Sequence, residues 1–106
     1  MAATQEFLDL VLEKLARLGV VSGRRMFGGF GVFHEDAMFG LISNDILYLK
    51  ADDSNRDVYV KYGSPQYKPM PYFQVPDDVF EDAKELLRWA KQSIDIAHAA
   101  PPKKKR

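Results

Sequence analysis

Apolar positions in the first eighteen residues recur at helical spacing. Phe7, Leu8, Val11, Leu12, Leu15 and Leu18 follow the i, i+3, i+4 pattern, while Glu6, Asp9, Glu13, Lys14 and Arg17 fall largely on the other side. With Thr4 suited to the N-cap and Gly19 to the stop, the spacing predicts an amphipathic helix over residues 4–18. The period then shortens. Three segments of strand composition follow, at 26–34, 37–42 and 46–51, joined by Glu35-Asp36 and Ser43-Asn44-Asp45. Connections this short and turn-prone favour antiparallel hairpins over parallel crossovers. In the third strand Leu47 and Leu49 alternate with Ile46, Tyr48 and Lys50, which predicts one face against a helix and one partly wet.

Asp52-Asp53-Ser54 opens a short helix over 54–62, with its acids at the favourable end of the helix dipole, and Gly63-Ser64-Pro65 ends it. Pro65, Pro69 and Pro71 then restrict what can form, because proline donates nothing to a sheet ladder. Two short strands near a sheet edge are expected, at 66–68 and 72–75. After Pro76, Asp78 and Glu81 have capping-box spacing, and Val79, Ala83, Leu86, Leu87, Ala90, Ile94 and Ala97 trace one apolar stripe. The last helix should end near His98. Residues 1–98 therefore read as one α+β domain with an antiparallel sheet packed by helices, and 99–106 as a disordered basic tail.

Composition narrows the function classes. The 106 residues are 46% hydrophobic and 28% charged, as in an ordinary globular domain. There is no cysteine, which excludes disulfides and thiolate chemistry. No apolar run approaches the roughly 20 residues of a membrane span, and the N-terminus lacks signal-peptide character, so a cytoplasmic location is expected. The zero net charge conceals an asymmetry: residues 1–102 carry 11 basic against 15 acidic groups, and the last four residues are all basic. An acidic body argues against a broad DNA-binding face, whose affinity would need clustered Lys and Arg against phosphates.

The segment Arg24-Arg25-Met26-Phe27-Gly28-Gly29-Phe30-Gly31-Val32-Phe33-His34 is the densest in unusual residues. Its glycines match neither phosphate-loop pattern, so they are read as sites of close backbone packing or a bulge. Phe27, Phe30, Phe33 and Phe39 are assigned to the core in preference to a base-stacking platform. Arg24 and Arg25, at the entrance of the first expected strand, either grip an acidic group or phosphate or are simply solvated. Tyr48, Lys50, Tyr67 and Tyr72 form either a polar-aromatic recognition patch on the open sheet face or an ordinary amphipathic surface, and both readings stay open. His34 and His98 have no ligand-spaced partner, so no metal and no cofactor are expected. Asp52-Asp53 and Asp77-Asp78 look like helix starts, and no nucleophile elbow is present, so no enzyme is expected.

Several blocks together carry a family resemblance. Residues 25–33 (RMFGGFGVF), 38–42 (MFGLI), 47–52 (LYLKAD), 71–76 (PYFQVP) and Trp89-Ala90 resemble, in order and separation, the N-terminal domain of the TfoX/Sxy competence regulators. The resemblance implies an α-β(3)-α-β(2)-α fold with an antiparallel sheet, like the YgaC and secretion-chaperone group. It also implies a non-enzymatic regulatory role in bacteria, where full-length members promote expression of DNA-uptake genes in concert with the cyclic-AMP receptor protein and carry a second, helical domain not expected in this chain. A protein partner, a transcription regulator or RNA polymerase, follows as the expectation. The alternatives are a weak nucleic-acid binder using Arg24, Arg25 and the tail Lys103, Lys104, Lys105 and Arg106, or a chaperone-like module forming a homodimer. The tail resembles a nuclear import signal, but a bacterial cell has no reader for one, which leaves a solubilising or weak, salt-sensitive role.

Two variants test this element reading. Deleting residues 99–106 should leave the thermal midpoint nearly unchanged, whereas Trp89→Ala should cost about 3–5 kcal/mol in urea denaturation if the indole is core. A loss much smaller than that would place the last helix in another register.

Overall fold

The structure, a computed structural model, describes residues 3–26 and 28–99. The first helix forms where the apolar spacing places it. α1, Gln5–Lys14, begins at Thr4, whose hydroxyl accepts the Phe7 amide at 3.2 Å. Leu8, Val11 and Leu15 are buried, and a single 3-10 turn, Ala16–Leu18, leads to Gly19 at φ 105. The Thr4 amide also donates to the Asp45 carboxylate at 2.7 Å, which ties the start of α1 to a distant hairpin turn.

Five antiparallel strands lie side by side in chain order: β1 Val21–Met26, β2 Gly29–His34, β3 Ala37–Ser43, β4 Ile46–Lys50 and β5 Tyr72–Gln74. Both expected hairpins are present, with His34 paired to Ala37 and Ser43 to Ile46. Asn44 and Asp45 both take positive φ, 53 and 58, as a two-residue loop needs when its twist must match the strands it joins.

The strand expected over 26–34 is instead the second half of a hairpin. Met26 pairs with Gly29, and Gly28 between them takes φ 75, so the chain reverses here. Val21–Met26 contains Gly23 and two arginines and lacks clean alternation, so nothing local marks it as a strand. Its ladder with β2 makes it one. The late strand expected at 66–68 shrinks to a single bridge between Gln66 and Phe73, because Pro65 and Pro69 have no amide to offer. The α+β class and the antiparallel sheet are as expected, but the strands divide four and one around α2, Arg56–Lys61, rather than three and two.

The C-terminal stripe is interrupted. α3, Asp77–Phe80, follows Pro76 without a side-chain cap, so the box expected from Asp78 and Glu81 does not form. Asp82 accepts the Glu85 amide at 3.1 Å and starts α4, Ala83–Ala99. The helix thus includes Ala99. The expected basic tail, including Lys103 to Arg106, lies outside the described residues.

All the helices sit on one face of the sheet. Leu86, Trp89, Ala90 and Ile94 of α4 are buried against inward residues of the sheet such as Val32, Phe39, Ile42 and Leu49. Ser93 donates its hydroxyl to the Lys50 carbonyl at 2.7 Å. Tyr59 of α2 stacks on Phe73 at 5.4 Å and meets Trp89 edge-on at 5.0 Å. A β-bulge lets Val32 pair with Gly40 and Phe33 with Met38, leaving Phe39 unpaired between them and buried in the core. Phe30 and Phe39 are core residues, as read; Phe27 lies outside the described residues.

The two neighbouring glycines of the first hairpin separate backbone strain from steric exclusion. A Cβ on Gly29 would stand 2.0 Å from the Ile42 carbonyl oxygen, whereas one on Gly28 would meet nothing within 4 Å. Gly28→Ala should therefore cost only about 1–2 kcal/mol, from its left-handed backbone. Gly29→Ala should cost about 3 kcal/mol or more, because two paired strands must part. Equal losses in chemical denaturation would contradict this register.

Candidate recognition face

The alternation of β4 sends Leu47 and Leu49 into the core and leaves Tyr48 and Lys50 on the helix-free face. Cross-strand pairing extends that face. Arg24, Gly31, Leu41, Tyr48 and Gln74 lie in one row across the sheet, with Lys50 opposite Tyr72 and Phe33 opposite Met38. The expected patch assembles here. Tyr67, carried by the proline-rich segment before β5, meets Tyr48 edge-on at 5.3 Å, and the Lys50 ammonium stands 5.5 Å from the centre of the Tyr72 ring. Two backbone bonds, Tyr67 N–H to the Tyr72 carbonyl at 2.8 Å and Gln74 N–H to the Pro65 carbonyl at 3.0 Å, hold that segment along the sheet edge.

Proline at 65, 69 and 71 gives this segment its shape. Few of its amides can join a ladder, so it crosses the sheet edge as an irregular arm whose side chains, Tyr67 among them, reach the open face. The Tyr72 hydroxyl donates to the Met38 carbonyl at 3.3 Å. Burial pushes the Tyr72 hydroxyl up to about 12. Tyr48 is raised too, by burial first and by the neighbouring Tyr67 second. Both rings therefore present neutral phenols at any physiological pH.

Met26, Met38 and Leu41 of this face escaped the pattern reading, and Phe33, read as core with Phe30 and Phe39, is buried here and not in their cluster. The space a Cβ on Gly31 would fill is occupied by the Met26 sulfur at 2.5 Å, the Phe33 ring at 3.0 Å and the Met38 sulfur at 3.4 Å. Leu41 and Phe33 are buried although, among the described residues, no helix packs on them, so the face is sealed by its own long side chains. Thioethers and aromatic rings beside an arginine and a lysine have the composition of an adaptable protein-recognition surface. Alternation identifies Met26 only once the reversal before Gly29 is known, because it is the β1–β2 ladder that sets which face Met26 takes.

Arg24 and Arg25 are not brought together. As neighbours in an extended strand they project to opposite faces, Arg24 over the Phe33 ring at 4.4 Å and Arg25 over the Phe30 ring at 4.9 Å. Each is anchored on an aromatic surface, and they do not converge on a common anion. The acidic pair Asp52-Asp53 is engaged locally: Asp52 accepts the Ser54 amide and hydroxyl, which hold its carboxyl below the usual range, and Asp53 pairs with Arg56. A groove of about 540 Å³ runs from Lys50 past these two aspartates and Pro71 to Ile96 and Ala99 at the end of α4.

The histidines, which have no ligand-spaced partner along the sequence, are brought together by the fold. His34 and His98, 64 positions apart, approach with Nδ1 of the first 2.9 Å from Nε2 of the second. Sequence spacing could not reveal this pair, because α4 folds back across the sheet to make it.

Comparison with known proteins places the chain. The sequence model of the TfoX N-terminal domain matches residues 13–97, and the chain belongs to that family. It is 29% identical over 93 residues to Protein Sxy of Escherichia coli (strain K12), covering 80% of this chain and 44% of that protein. It is 31% identical over 78 residues to DNA transformation protein TfoX1 of Aliivibrio fischeri (strain ATCC 700601 / ES114), covering 74% and 37%. The chain thus spans less than half the length of the curated relatives it matches. Among the described residues, no helix is long and apolar enough to cross a membrane.

The buried phenol of Tyr72 gives a signed pH dependence. Its folded value, about 12, exceeds the ordinary 10, so above pH 10 the unfolded chain holds fewer protons than the folded one. The associated stability is complete below about pH 10 and is lost as pH rises through 12. Tyr72→Phe should flatten that fall in urea denaturation at successive pH values; an unchanged slope would contradict the buried placement.

Proposed function

We propose that this chain is a non-enzymatic regulatory module that recognises a protein partner through the helix-free face of its sheet. The observation that carries the proposal is the patch itself: Tyr48 against Tyr67, Lys50 over Tyr72, and the Met26–Met38 cover of Gly31, all on the sheet face that no helix among the described residues occupies. Tyrosine, methionine and arginine are the residues enriched where proteins meet, and the acidic balance of residues 1–102 disfavours nucleic acid as the main ligand. Membership in the TfoX family, with one relative named as a DNA transformation protein, supports a competence-related role in transcription regulation in the bacterial cytoplasm, the partner being a transcription regulator or RNA polymerase. Nucleic-acid binding through Arg24 and Arg25 is weakened by their divergence to opposite faces.

The test is affinity capture from the native host with the wild-type chain and with the Tyr48→Ala/Tyr67→Ala double variant. Wild type should retain a transcription protein, and the variant should lose at least about tenfold of it, as expected when central aromatic anchors are removed. Equal capture by both, or capture of no transcription protein by either, would overturn the proposal.

A further inference from the structure

At the corner where the β2–β3 hairpin meets the last turn of α4, three metal-ligating side chains converge. His34, Glu35 and His98 each place one ligand atom within 4.8 Å of the others. We propose that they form a site for a divalent transition-metal ion of the zinc type, which would clamp the end of α4 to the hairpin.

The tautomers support the assignment. His34 Nε2 lies 3.1 Å from the Leu18 carbonyl, and a carbonyl can only accept, so Nε2 carries the proton. That leaves Nδ1 of the neutral ring as a lone-pair donor, and Nδ1 is the atom that faces His98 Nε2 at 2.9 Å. A histidine ligand whose second nitrogen is held by a backbone carbonyl is the arrangement that orients imidazole toward a metal. Without metal, His98 Nε2–H donates to His34 Nδ1. On metal binding the His98 proton moves to its own Nδ1, both rings stay neutral, and Nε2 becomes the second nitrogen ligand.

The distances suit the ion. Two nitrogens bound at 2.0–2.1 Å in tetrahedral geometry lie about 3.3 Å apart, so the pair must open by a few tenths of an ångström, the rings must turn until both lone pairs meet the ion, and the carboxylate must close in. His98 is exposed on the final turn of α4 and can make that adjustment; its exposure also gives the ion an entry path. Glu35 follows His34 directly, at φ 59, where a residue other than glycine is uncommon, and it supplies the oxygen. Two imidazoles and one carboxylate, with water completing the shell, are borderline ligands that favour zinc, nickel or copper over magnesium or calcium.

The experiment is calorimetric titration of the full, tag-free chain with zinc chloride, followed by long-range 1H–15N NMR of the imidazoles. One equivalent should bind saturably, and His34 Nδ1 and His98 Nε2 should be the nitrogens that shift. His98→Gln, at an exposed position, should weaken binding at least tenfold. Glu35→Gln should weaken it by a smaller factor and serves as the second variant if the first is misfolded by circular dichroism. Zinc should raise the thermal midpoint of wild type and leave that of His98→Gln unmoved. Absence of saturable binding below about 1 mM, metal on His34 Nε2, or wild-type affinity in both variants would overturn the proposal.

Discussion

The packing of α4 across the sheet is the interaction on which the rest of this structure depends. Leu86 and Ile94 are each buried to within a few per cent, and burial on that scale contributes roughly 1.5–3 kcal/mol per side chain. Ala90 and Ser93, fully buried and small, let the helix backbone come close enough for the Ser93 hydroxyl to reach the Lys50 carbonyl. That hydrogen bond adds about 1 kcal/mol and sets register more than it supplies stability. The exposed pairs Arg88–Glu85 and Lys91–Asp95 run along the outer surface of the same helix, where water and salt screen them, and contribute little. Apolar contact decides where α4 lies; the polar contacts follow from it.

Because α1, α2, α3 and α4 all serve the same face, the opposite face must be sealed without a helix. It is sealed by long side chains standing on the strands. Methionine suits this task, since an unbranched thioether fills irregular space over a glycine that offers no Cβ of its own. Proline contributes indirectly, by keeping the arm before β5 from becoming a sixth strand and so leaving Tyr67 free to lean on Tyr48. The same constraint, helices on one side only, therefore creates both the core and the surface proposed for recognition. The far end of α4 brings His98 to the hairpin carrying His34, so one helix placement also accounts for the histidine cluster.

Much of this was legible in the chain. The face of α1, the alternation of β4, the Asn44-Asp45 turn and the apolar stripe of Leu86, Ala90 and Ile94 follow from local pattern, because each depends on neighbours within a few residues. The shared face of Tyr48 and Lys50 was legible for the same reason: alternation puts them on one side wherever the strand pairs. β1 was not, since Val21–Met26 has no pattern of its own and becomes a strand only through its ladder with β2. Missing it hid Met26, and with it the sulfur cover of Gly31. The restart of the last helix at Asp82 was hidden too, because an apolar stripe reads through a break that only backbone geometry reveals.

What the sequence by itself determined is the set of faces: which side of each helix and strand is apolar, where the chain can turn, and which family its ordered blocks belong to. These are short-range properties, written in periods of 2 and 3.6 residues. Tertiary structure alone decided which faces meet. It parted Arg24 from Arg25, which sequence neighbours in an extended strand cannot avoid, and joined His34 to His98, which 64 intervening residues conceal. Contacts of that range are made by folding α4 back over the sheet, and no local period records that step.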